Sequence, residues 1–158
     1  MLALCEDSRL LQPIPVTEGP RPAWLDRAAA IVVAAVGIAV VVLLARVDPD
    51  PRGHGTHELL GLPPCGWPER YGMPCPTCGV TTAACHLVHF SPWRAVVTQP
   101  FGAALAALGL LVLATALADL ARGRSFLARA YTLPLSRWLL GGTALLLLSW
   151  WYKTRVGV

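Results

Sequence analysis

Four of the five cysteines and all four histidines of this chain fall between residues 54 and 89. They read His54-x-x-His57, Cys65, Cys75-Pro76-Thr77-Cys78, Cys85-His86 and His89. Two thiols three residues apart close a disulfide, exchange disulfides with a partner, or chelate one metal ion. Pro76 suits the first position of a helix, where its missing N–H costs nothing. Cys75 is then expected near the helix N-terminus, which favours a thiolate, and Cys78 one turn in. On a helix running to Phe90, Cys78, Cys85 and His89 share one face, with His86 beside it and Cys65 in the preceding loop.

That constellation admits three readings. The leading one is a structural disulfide staple among Cys65, Cys75, Cys78 and Cys85, four thiols that allow three connectivities. The second is a zinc site on Cys65, Cys75 and Cys78, with Cys85 or His89 as fourth ligand. The third is a membrane thiol oxidoreductase, Cys75 attacking and Cys78 resolving, but no second CxxC pair or cofactor motif supplies an electron acceptor. His54 and His57 could form a further pair, although Pro and Gly surround them and nothing in the sequence fixes their position. No residue is assigned as catalytic: phosphate loop, HExxH and nucleophile elbow are all absent.

The elements around this segment are those of a membrane protein. The 158 residues are 55% hydrophobic and 14% charged, and the mean hydropathy is +0.56. A soluble domain of this size is rarely so apolar. The net charge of +4 comes without a basic patch interleaved with aromatics, so nucleic acid is excluded as a partner. Residues 1–27 are polar and proline-rich and are expected as a flexible arm carrying Cys5. Residues 28–158 form the membrane domain. Its first span is Ala28 to Ala45, 18 residues, or about 27 Å of helix. The second runs from Phe101 to about Leu120, with Asp119 expected at the interface. The third covers roughly Pro134 to Tyr152, bracketed by Trp138 and by Trp150, Trp151 and Tyr152. The Cys/His-rich segment 46–100 lies between the first two spans. Within it, Thr77 to Phe90 is the proline-free stretch that suits a short interfacial helix after the CPxC motif.

The predicted fold is therefore all-α, with three transmembrane helices and one interfacial helix. Residues 122–137 carry four arginines, so this loop is expected in the cytoplasm. The N-terminus is then cytoplasmic, and segment 46–100 and the C-terminal tail with Lys153 are extracytoplasmic. Ala34, Gly37 and Ala39, then Gly102, Ala106 and Gly109, then Gly141 and Gly142, offer small-residue faces for helix packing or for a membrane-protein partner. The single lysine among the basic residues reads as codon bias.

The run Cys65 … Tyr71-Gly72-Met73-Pro74-Cys75-Pro76-Thr77-Cys78-Gly79-Val80-Thr81-Thr82-Ala83 resembles the bacterial membrane family catalogued as domain of unknown function 2752. Cys65, Cys75, Cys78, Gly79 and Thr81 match its signature position by position. Thr82 stands where the family usually has Arg. The family has no established activity, so the resemblance implies an architecture, a small multi-span protein of the bacterial inner membrane, and no function.

Overall fold

The computed structural model of the chain describes residues 23–131 and 134–156, and every regular element among them is a helix. The expected arm, with Cys5, lies almost wholly outside the described residues; its last five positions are helical. Helix α1 is Ala23–Ala45, α6 is Pro100–Arg122 and α8 is Leu135–Val156. Between α1 and α6 lie four short helices: α2 (Thr56–Leu59), α3 (Trp67–Tyr71), α4 (Val80–Val88) and α5 (Pro92–Thr98). The short helix α7 is Phe126–Tyr131.

Two helices, α1 and α6, are long and apolar enough to cross a membrane, where three were expected. The shortfall is α8. It has the length, but Ser136, Arg137, Gly141, Gly142, Thr143 and Ser149 dilute its hydropathy. Its C-terminal turns are nonetheless tied to the level at which α6 begins. At the other level the Asp26 carboxylate, in the first turn of α1, accepts from Ser125 Oγ (2.8 Å) and from the N–H groups of Phe126 (3.2 Å) and Leu127 (2.9 Å). That pins α7 beside the start of α1. At the level where α6 begins, Phe101 N–H donates to Ser149 Oγ (3.2 Å) and Tyr152 O–H to the Val97 carbonyl (3.2 Å). So α8 climbs antiparallel to α6, over about 33 Å of helix against about 35 Å for α6.

The burial pattern is inverted relative to a soluble bundle. The largest side chains excluded from solvent are Lys153, Gln99, Thr56, Thr82, Asp119, Cys85 and Ser149. Ile31, Val36, Val40, Leu111, Leu139 and Leu148 point outwards. Such an arrangement wastes apolar area in water but suits a hydrocarbon solvent.

Close helix approach does use small residues, but only some of those expected. A Cβ at Gly102 would stand 2.8 Å from Val80 Cα, and one at Gly37 3.0 Å from Leu113 Cδ1. Ala34 is buried. Gly109, Gly141 and Gly142 have nothing within 4 Å of a built Cβ and face open space. Asp119, near the end of α6, is buried and held at 2.8 Å by Arg129 from α7.

Candidate functional site

The site begins with a loop that fails to become a helix. Cys75 to Gly79 fold as two successive turns, Cys78 N–H to the Cys75 carbonyl (3.1 Å) and Val80 N–H to the Thr77 carbonyl (3.1 Å). Gly79 has φ +86°, a conformation open to glycine and costly for other residues. The helical ladder then starts with Ala83 N–H donating to the Gly79 carbonyl (2.8 Å), and α4 runs from Val80. The expectation that Pro76 opens the helix and that Cys78 lies one turn in is thereby corrected. The left-handed residue after Cys78 breaks the helical path, so Cys78 leaves the face shared by Cys85 and His89.

Three carbonyls of this loop are each held by a side chain distant in sequence. Trp150 Nε1 donates to Pro74 O (2.9 Å), Gln99 Nε2 to Pro76 O (3.0 Å) and Lys153 Nζ to Cys78 O (2.9 Å). Gln99 is in turn hydrogen-bonded through its Oε1 by the Ser149 hydroxyl. The end of α8 and the α5–α6 junction thus grip alternate residues of the cysteine loop. Gly79 is wedged under them: a Cβ there would lie 2.6 Å from Gly53 O and 2.7 Å from Lys153 Nζ.

The grip gathers sulfur. Cys65, Cys75 and Cys78 present their Sγ atoms all within 4.8 Å of one another. Cys75 and Cys78 are 2.8 Å apart, Cys78 and Cys65 3.9 Å, and all are free thiols. A disulfide of about 2.05 Å requires the closer pair to approach by less than 1 Å. A tetrahedral zinc ion with Zn–S near 2.3 Å holds sulfurs roughly 3.8 Å apart and requires the pair to open by about as much. Distance alone therefore admits both chemistries. Cys75 and Cys78 are buried and Cys65 is half-buried. All three line a cavity of about 510 Å³, whose wall also includes Arg52, His54, His57 and Glu58.

The two thiols of the motif are electrostatically unlike. Burial opposes ionisation of Cys75, but hydrogen bonds from Cys78, Thr77 and Cys65 to its sulfur outweigh burial and hold it below the usual thiol range. Burial, and then the partnership with Cys75, push the Cys78 thiol up to about 12. Of the two, Cys75 is the more readily ionised. That asymmetry suits a first ligand for an incoming cation and also a nucleophile backed by a resolving thiol.

Cys85 and His89 stand elsewhere. Cys85 Sγ lies 3.4 Å from Leu44 O and 3.1 Å from Val47 O, buried against the end of α1. Burial, with Asp48 nearby, raises its pKa. His89 Nδ1 is 3.7 Å from that sulfur and 2.9 Å from the Cys85 carbonyl. The pair forms a contact within α4 and does not join the three clustered sulfurs. His86 lines another cavity with Asp50, Trp93 and Arg94, and burial followed by Arg94 and His89 lowers its pKa.

In their place the structure brings up residues that sequence reasoning left aside. His54 and His57 reach the cavity because the segment before α2 is stitched to α4: Asp50 N–H donates to Thr56 Oγ1 (3.0 Å), which donates to Thr82 Oγ1 (2.9 Å). Thr82, the departure from the signature, is therefore fully buried in a hydroxyl pair rather than placed at a headgroup. Lys153, expected in a free tail, is 1% exposed at the centre itself. Its one sequence signal was being the sole lysine beside twelve arginines.

Residues 65–114 match the model of a family described as a protein of unknown function, DUF2752. This is the family that the Cys65-to-Thr81 pattern resembles. The matched stretch contains all three clustered sulfurs, α4, α5 and α6 as far as residue 114. No curated protein and no solved structure matches the chain.

Proposed function

We propose that this chain is a three-span membrane protein that holds a thiophilic divalent ion, of the zinc class, on Cys65, Cys75 and Cys78 at the extracytoplasmic edge of the bilayer. The observation that carries the reading is Lys153. Its ammonium is buried against Cys78, and among the described residues no carboxylate lies within ion-pair distance of it. Taking a lone ammonium out of water is expensive, so a buried lysine either gives up its proton or has its charge answered by a negative one, and a metal centre supplies the second case. A disulfide offers none. Three thiolates on a divalent ion carry one net negative charge, and Lys153 balances it.

The test is thiol counting and metal analysis on protein purified without reductant. About one zinc per chain with all three thiols reactive only after chelation is expected, and Cys75→Ser or Cys78→Ser should each release the ion. A second reading, the disulfide staple, is favoured by the 2.8 Å approach of Cys75 and Cys78. It predicts two missing thiols, no metal, and no metal change in either variant.

The membrane part of the proposal rests on α1 and α6 by length and hydropathy, on α8 by its length and its attachment beside the start of α6, and on the outward-facing leucines and valines. The arginine-rich segment 122–137 supports an orientation with the end opposite the cysteines in the cytoplasm. Reporter fusions should therefore show Gly123 inside and Val158 outside. An extracytoplasmic reporter active at Gly123 and silent at Val158 would invert the molecule.

A further inference from the structure

A three-thiolate ion needs a fourth ligand, and we propose that His54 supplies it through Nε2, giving a Cys₃His centre. The inference rests on the metal reading above. Cys85 and His89, the natural choices from sequence, are engaged at the end of α1 and within α4. Among the described residues, no other Cys, His, Asp or Glu joins the three sulfurs within 4.8 Å. The fourth ligand therefore comes from the cavity wall, where His54, His57, Glu58 and Glu69 are available.

Charge narrows that set. One divalent ion, three thiolates and the Lys153 ammonium sum to zero, so a neutral donor leaves the buried centre balanced while a carboxylate adds an uncompensated charge. Glu58 is moreover paired with Arg52 at 3.1 Å. Between the two imidazoles, His54 carries the preparation that metal-binding histidines show. Its Nδ1 stands 3.0 Å from the Arg52 carbonyl, a backbone acceptor that fixes the Nδ1–H tautomer and leaves Nε2 with its lone pair. Cys78 borders two cavities, of about 510 and 410 Å³, and His54 borders both, the second together with Lys153. The residue before it packs its carbonyl on Gly79, next to Cys78. His57 borders the larger cavity alone and has no such backbone anchor among the hydrogen bonds of the described residues.

Cobalt(II) titration of the full-length protein in detergent tests this. The thiolate-to-cobalt charge-transfer bands report the three sulfurs, and the d–d bands and the X-ray absorption shell report the fourth donor. The expected wild-type shell is three sulfurs and one nitrogen. His54→Ala should keep the charge-transfer bands, lose the nitrogen shell and bind cobalt about 100-fold more weakly, at the upper end of the 10–100-fold that an outer-shell partner is worth. His57→Ala should leave the spectrum unchanged. Added imidazole should restore the d–d bands of His54→Gly, an outcome that a merely misfolded variant would not give. A wild type that binds cobalt with a spectrum unaltered by His54→Ala overturns His54 alone. A wild type that takes up no cobalt after full reduction overturns the metal centre and His54 with it.

Discussion

Replacing Gly102 with leucine is expected to cost the fold about 3 kcal/mol, while Gly109→Ala, two turns further along α6, should be neutral or mildly stabilising. Both are glycines inside one apolar helix, and propensity alone favours replacing either, by about 1 kcal/mol for alanine. Space decides otherwise. A Cβ at Gly102 meets Val80 Cα at 2.8 Å and Ala83 Cβ at 3.2 Å, atoms of the α4 backbone and its nearest turn that no rotamer change moves away. Nothing lies within 4 Å of a Cβ at Gly109. A side chain at 102 therefore pushes α4 off α6. That displacement also reaches Gln99, whose Cγ is 3.1 Å away and whose amide holds the Pro76 carbonyl of the cysteine loop. Thermal unfolding in detergent followed by circular dichroism measures the pair. Equal midpoints for Gly102→Leu and the wild type would show that α4 and α6 are not in fixed contact.

That coupling between a span and the loop explains which parts of the molecule were legible from sequence. The two most apolar helices are written as uninterrupted runs of Ala, Val and Leu, so their positions differ from expectation by a few residues only. The third long helix is legible by length and aromatic brackets, yet it falls short as a span by composition, because its last turns carry Ser149, Trp150 and Lys153 for the loop. Those polar residues look like the end of a membrane segment when read locally. Their use appears only once α8 is folded back against α6.

The cysteine centre was half legible for the same reason. Cys65, Cys75 and Cys78 carry the pattern in their spacing, and the structure gathers them. Helical periodicity extended through Gly79 puts Cys78 on one face with Cys85 and His89, whereas a single positive φ there sends Cys78 to a different place from them. His54 was visible only as half of a possible pair with His57, with nothing local to fix its position. What fixes it is a hydroxyl pair between Thr56 and Thr82, 26 residues apart, and such long-range pairs leave no trace in local composition.

Exchanging Lys153 for methionine is expected to weaken zinc binding by about 10–100-fold and to destabilise the metal-free fold by about 1–3 kcal/mol. The two effects have separate causes. Methionine keeps the length and apolar stem of the side chain, so packing in α8 changes little. It gives no hydrogen bond to the buried Cys78 carbonyl, which is then left unpaired, and that penalty is present whether or not metal is bound. It also removes the positive charge that balances three thiolates on a divalent ion, a penalty that exists only in the metal-bound state. Arginine should not rescue either effect fully. The wall opposite Nζ is Gly79, where even a Cβ would come within 2.7 Å, so a guanidinium has no room to replace the ammonium in place. Zinc competition with a chelating dye gives the affinity, and unfolding of the chelated protein gives the stability. If Lys153→Met lowered the midpoint of the chelated protein but left zinc affinity as in the wild type, Lys153 would be a hydrogen-bond strut of the loop and no counter-ion, and the charge argument for a metal centre would fall with it.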